Sequence, residues 1–186
     1  YIRDKRPREA IAVLNRVLSE GIKDTSLYLA LGYAYGADLR DADALKYYRM
    51  ALGMSPDSAL VRFHMGAYYD KIKKRTLAVS ELREAIKLDS KFSDAYNYLG
   101  YMYAEEGSNL EEAVALIKKS IELEPDNGAY IDSLGWAYFQ DGKFSEALIE
   151  LEKAVKLEPD DAAIKEHLKR AKEKLKKGSA WRKNQT

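Results

Sequence analysis

The chain has 186 residues, with 31 Lys and Arg against 30 Asp and Glu, two His and no Cys. A formal charge of +1 removes any composition-level case for nucleic acid or acidic lipid as the main partner. The missing cysteines exclude a disulfide frame, a thiolate metal site and a cysteine nucleophile. No long unbroken apolar run is present, so no segment reads as a membrane-spanning helix.

In chain order, residues 1–24 hold one helix with Ile11, Leu14 and Leu18 on its apolar stripe. The chain opens at Tyr1 without a signal-peptide pattern, as expected of a fragment or processed product whose array continues upstream. The next four segments, 25–58, 59–92, 93–127 and 128–161, repeat one pattern. Glycines recur at Gly32, Gly66, Gly100 and Gly135, spaced by 34, 34 and 35 residues. Each is followed three residues later by a tyrosine (Tyr35, Tyr69, Tyr103, Tyr138). Alanines recur at Ala10, Ala44, Ala78, Ala113 and Ala147. A second column of short side chains follows at Val17, Ala51, Ala85, Ser120 and Ala154.

Each segment reads as two helices. A mid-helix glycine costs roughly 1 kcal/mol against alanine. A whole column of them implies close helix–helix approach, with Gly32 leaving room for Ala44 and Ala51. Pro56, Pro125 and Pro159 close the second helices, Ser90 standing in their column. Asp57-Ser58, Asp126-Asn127 and Asp160-Asp161 then cap the helices that follow. The extra residue of 93–127 falls near Gly107-Ser108-Asn109. Residues 162–177 form a capping helix with Ile164, Leu168, Ala171 and Leu175 on one stripe, and 178–186 a loose tail. Nine Lys and Arg against two Glu give residues 162–186 a net charge of +7, leaving −6 for the rest. The basic end reads either as a solvated cap or as a contact for acidic lipid or an acidic partner.

This register of glycine, aromatic, alanine and proline columns resembles the tetratricopeptide repeat (TPR) family over nearly the whole chain. The resemblance implies an all-α solenoid of helix–turn–helix units in a right-handed superhelix, with about four full repeats, a leading half repeat and the capping helix. Stretches such as AYNYLGYMYAEEG also resemble repeats of bacterial envelope-associated lipoproteins of the family. That implies a bacterial periplasmic or envelope location; a cytoplasmic one fits the composition equally well.

The family binds peptides or partner helices on the concave surface lined by the first helix of each pair. The residues placed there are Tyr33; Phe63 and His64; Asn97, Tyr98 and Tyr101; and Asp132, Trp136, Phe139 and Gln140. Tyr and Trp combine large contact area with a polar handle, as binding hot spots require. The same aromatics would equally serve to pack between repeats. Some members of the family hold a chaperone C-terminal carboxylate with Lys, Asn and Arg. Here those columns carry Leu29, Tyr33, Asp94 and Tyr98, or, one repeat on, Phe63, Ala67 and Asp132, so no such capture is expected.

Catalytic patterns are missing. His64 and His167 lie far apart with no zinc-ligand spacing, no phosphate loop follows a strand, and the adjacent Glu105 and Glu106 do not share a helix face. No cofactor or metal is expected. The basic run Lys71 to Arg75 lacks the interleaved aromatics that single-strand binding favours. The sequence therefore reads as a protein- or peptide-binding scaffold. Two alternatives stay open: a regulatory or substrate-recruiting arm of a larger enzyme, and a structural element that self-associates weakly through its front half repeat.

Overall fold

The structure is a computed structural model. It describes the backbone of residues 6–183 and the side chains of residues 6–176. Among the described residues it holds ten α-helices and no strand. The chain divides into two units, Tyr1–Ser90 and Lys91–Thr186, taken here in turn.

The first unit contains α1 (Pro7–Ser19), α2 (Thr25–Ala37), α3 (Asp41–Met54), α4 (Ala59–Lys71) and α5 (Arg75–Leu88). Capping side chains begin α2 and α4: Asp24 accepts from the Leu27 amide at 2.7 Å and Ser58 from the Val61 amide at 3.3 Å. Each such cap is worth about 1 kcal/mol. Pro56 stands just past the end of α3, where it cannot extend the helix. At the front, α1 starts with Pro7 in its first turn. Of its expected apolar stripe, Ile11 is buried and Leu14 and Leu18 are half-buried, and Asn15 donates to the Tyr35 hydroxyl of α2 at 3.1 Å. Residues 1–5 of that expected segment lie outside the described residues.

Many of the chain's 14 tyrosines are core. Tyr47 stacks on Tyr35 at 5.2 Å between ring centroids and on Tyr28 at 6.2 Å, and Tyr48 meets Tyr68 at 5.3 Å. Large rings fill the space between helix pairs while their hydroxyls reach polar partners. Tyr68, for example, donates to Asp41 at 2.6 Å. Burial, with that carboxylate beside it, pushes the Tyr68 phenol well above its ordinary range, so it stays a neutral donor.

The second unit contains α6 (Ser93–Glu106), α7 (Leu110–Leu123), α8 (Gly128–Gln140), α9 (Phe144–Leu157) and α10 (Ala162–Lys183). Asn127 caps α8 through the Tyr130 amide at 3.3 Å, and Asp161 caps α10 through the Ala163 and Ile164 amides at 2.8 and 3.0 Å. Ile131, Ala154 and Ile164 form the buried cluster that seats α10 on its neighbours. Tyr130 ties α8 to α6 by donating to Asp94 at 2.6 Å, with the Ser93 hydroxyl 3.2 Å away. The expected tail is shorter than the sequence implies: α10 stays helical to Lys183, and residues 184–186 lie outside the described residues. Ala180, Arg182 and Lys183 favour helix, no proline interrupts, and Gly178 alone costs only about 1 kcal/mol.

The glycine column works as a set of sockets, with an occupant the sequence did not reveal. The side chain that sits on Gly32 is Tyr48, not Ala44 or Ala51: a Cβ added at Gly32 would lie 2.9 Å from the Tyr48 ring. Leu82 sits likewise on Gly66 at 2.8 Å, Ile117 on Gly100 at 2.6 Å and Leu151 on Gly135 at 2.6 Å. Each occupant lies one helical turn beyond a fully buried alanine: Ala44, Ala78, Ala113 or Ala147. The alanine lets the two backbones approach, and the following large side chain fills the notch. At Gly100 even the Ala113 carbonyl would lie 2.9 Å from an added Cβ. Leu82, Ile117 and Leu151 are completely buried, each worth about 2–3 kcal/mol in transfer free energy.

The turn within each pair places a residue in the left-handed region at one shared position: Leu39 at φ 62°, Lys73 at 60°, Gly107 at 64° and Gly142 at 74°, with Asn109 at 47° a second in the longer α6–α7 turn. Glycine bears this freely, while a branched side chain is strained by roughly 1–2 kcal/mol.

Two stability changes follow. Gly100→Leu drives a side chain into Ile117 and the Ala113 carbonyl and lowers unfolding free energy by about 3 kcal/mol or more in urea titration. Leu39→Gly, at a position 80% exposed, raises it by about 0.5–1 kcal/mol.

Candidate functional site

The first helices of the pairs are buried on most of their circumference, so few side chains remain to meet a partner. In the first unit, α2 and α4 frame a hollow of about 310 Å³. Its floor is built from small residues, Gly36, Ala37 and Ala67, and its walls from Tyr33, His64 and Tyr68. Tyr33 is 55% exposed. Phe63 and His64 are half-buried and meet edge to face at 5.4 Å. At the rim, Lys71 donates to the Gly36 carbonyl. Burial, and secondarily Tyr33, raises the Tyr48 phenol far above its ordinary value. The hollow is therefore lined in part by the neutral Tyr48 and Tyr68 phenols, with one ammonium at its edge.

In the second unit, Asn97, Tyr98 and Tyr101 of α6 are half-buried. Burial, the hydrogen-bonded Glu105 and the charge of Asp132 push the Tyr101 phenol up to about 12. On α8 the arrangement differs from the sequence expectation. Asp132, Trp136 and Phe139 do not line an open groove; they are buried beneath α10. His167 Nδ1 lies 2.9 and 3.0 Å from the two Asp132 carboxylate oxygens, and its ring stacks on Trp136 at 4.3 Å. Trp136 stacks in turn on Phe139 at 5.0 Å and nearly parallel. The Arg170 guanidinium lies 4.7 Å from the Trp136 ring centre and 5.7 Å from that of Phe139. Cation–π contact of this kind adds to the burial. Trp136 Nε1 is itself buried without a hydrogen-bond partner, so the ring is held by stacking rather than by its polar handle.

Gln140 and Ser133 are also engaged within the protein. Gln140 donates to the Ala104 carbonyl at 3.1 Å and Ser133 to the Ala129 carbonyl at 2.9 Å. Sequence reasoning missed His167 and Arg170 as partners of this cluster. Their signal was present in the stripe Ile164, Leu168 and Ala171, which fixes the inward face of α10 and places both residues on its flank.

No group of three His, Asp or Glu that could hold a metal occurs among the described residues, and no described helix is long and apolar enough to cross a membrane.

The comparisons agree with this architecture. Two tetratricopeptide repeat family models match residues 68–128 and 129–161, together just over half of the chain. The chain belongs to the tetratricopeptide repeat family. A curated relative, small glutamine-rich tetratricopeptide repeat-containing protein 2 of Mycosarcoma maydis, is 29% identical over 64% of this chain and 30% of its own length. A TPR repeat-containing protein of Pseudomonas aeruginosa is 38% identical over 40% of this chain and 13% of its own length. The chain thus spans under a third of either relative. Among solved structures, MamA superposes with a TM-score of 0.66 at 26% identity, covering 82% of this chain and 89% of that one. The C-terminal part of a TPR repeat-containing protein from Cytophaga hutchinsonii gives 0.70 at 19% identity, covering 91% and 66%, and supports the fold alone.

The α8–α10 cluster makes a direct prediction. His167→Ala strips a partner from a nearly buried carboxylate and a ring from the Trp136 stack. It lowers unfolding free energy by about 2–3 kcal/mol. A double-mutant cycle with Asp132→Ala returns a coupling of about 1 kcal/mol or more.

Proposed function

We propose that this chain is a binding module that docks a partner's peptide or helix on the exposed aromatic faces of its first helices, in keeping with the protein–protein interaction that TPR repeats generally mediate. The observation that carries this reading is the hollow between α2 and α4. Tyr33 stands exposed beside a floor of Gly36, Ala37 and Ala67, leaving a recess that admits one apolar or aromatic side chain. Phe63 and His64 extend the same face. In the second unit the corresponding face is α6, through Asn97, Tyr98 and Tyr101. The α8 residues Asp132, Trp136 and Phe139 serve closure by α10, and Gln140 is tied to α6.

The recess is preformed. Its walls are fixed by Tyr68 on Asp41 and by Lys71 on the Gly36 carbonyl, so docking loses little conformational freedom. Neutral rings suit burial against an apolar anchor, and ring hydroxyls at the edge meet its flanking backbone.

The test is a peptide selected from a random display library against the intact chain, its affinity then measured by fluorescence anisotropy. Tyr33→Ala weakens binding about 30-fold, the loss of a hot-spot aromatic worth about 2 kcal/mol. Ala67→Trp fills the recess and abolishes binding, with helicity by circular dichroism unchanged. If both variants bind like the parent, the recess is not the site.

A further inference from the structure

A second surface lies in the second unit, on the side of α10 turned away from the Trp136 cluster. Each earlier first helix of this unit offers its following helix a face centred on glycine, Gly100 under Ile117 and Gly135 under Leu151. α10 occupies the place of such a first helix, seated on α9 through Ile164 and Ala171. Thirty-four residues beyond Gly135 the sequence carries Lys169, not glycine; beyond Tyr138 it carries Lys172, and beyond Ile131, Lys165. With Lys176 these form one stripe at helical spacing. The stripe borders a groove of about 720 Å³ whose apolar floor is Leu148 of α9 with Leu168 and Leu175 of α10. Four lysines against one glutamate, Glu173, give the lining a net charge of +3.

We propose that this groove docks an amphipathic helix of a partner protein, with an apolar stripe on the leucine floor and flanking Asp or Glu side chains meeting Lys165, Lys169, Lys172 and Lys176. A helix fits because the groove stands to α10 as the seats of α7 and α9 stand to α6 and α8. The ring of lysines sets the sign, since a basic helix would meet like charge there and an acidic one opposite charge. Lys172 already lies 3.4 Å from Glu152, and Lys169 3.5 Å from Glu166. Both pairs are about half exposed or more on each side, contribute little, and exchange readily for carboxylates of a ligand. The floor holds no aromatic ring for base stacking, and its leucines are half-buried rather than exposed as a lipid-inserting face would require. This surface is independent of the α2–α4 recess.

The experiment titrates the intact chain into fluorescein-labelled helical peptides roughly 18 residues long, carrying a leucine stripe flanked either by Glu or by Lys. The Glu-flanked peptide binds at least about tenfold tighter than the Lys-flanked one, and its affinity falls as salt rises from roughly 50 mM to roughly 300 mM. The triple variant Lys165→Glu, Lys169→Glu, Lys172→Glu, all exposed positions, reverses this preference, Leu168→Ala weakens both peptides, and Tyr33→Ala changes neither. Equal binding of the two peptides, failure of the Glu-flanked peptide to bind at millimolar concentration, or an unchanged preference in the triple variant overturns the proposal. So does lysine-dependent binding to phosphatidylglycerol vesicles without binding to the peptide, which would assign the stripe to a membrane surface.

Discussion

Paired helices in this chain approach closely because each first helix gives up a side chain at its centre. That gap at Gly32, Gly66, Gly100 or Gly135 receives a ring or a branched aliphatic chain from the helix that follows. The local cost of glycine in a helix, roughly 1 kcal/mol each, is outweighed by the burial it permits: Leu82, Ile117 and Leu151 reach zero exposure through it. Alanines one turn earlier hold the backbones at the distance the notch requires. Either column alone would fail, since large residues at both positions could not interlock and small ones at both would leave voids.

This packing decides which residues remain for function. A first helix is gripped by its own partner on one side and by neighbouring pairs on others, so α8 has only Ala129, Tyr138 and Gln140 short of full burial. The surface left over is narrow, and the next helix along the chain competes for it. In the first unit nothing within the unit covers Tyr33, and a recess with a floor of small residues results. In the second, α10 settles over α8 and turns Asp132, Trp136 and Phe139 from surface into interior. His167 supplies both a hydrogen bond and a stacking ring to that closure, and Arg170 spreads its charge over two aromatic faces.

The helices, their pairing and their caps were legible in the sequence because they depend on local and periodic signals. The proline stops and Ser58, Asn127 and Asp161 at helix starts each act within a turn or two of their own position, and the glycine column recurs at a fixed period. Tyr48 as the occupant of Gly32 was less legible, since it depends on the relative rotation of two helices. Periodicity names a face but not its register against a neighbour. Trp136 shows the same boundary in functional terms. Its column matches that of Tyr33, yet one is 4% exposed and the other 55%. The difference lies wholly in whether a later helix packs over it. The left-handed turn residues Leu39 and Lys73 were hidden for the opposite reason. Only Gly107 and Gly142, in the same place, carry the residue type that announces the conformation.

The two faces of α10 carry different chemistry. Its inner face is apolar enough to bury α8 and α9, through Ile164 and Ala171 and with the His167–Arg170 flank. Its other face carries lysines where the repeat pattern elsewhere has glycine and tyrosine. Lys169 fills the glycine position, and like charge opposes the approach of a second α10. Yet Leu168 and Leu175 stay only half-buried beneath those ammonium groups, more apolar surface than solvation alone calls for. Repulsion of one kind of helix is therefore selectivity toward another: the same four charges that oppose a basic helix favour one of opposite sign.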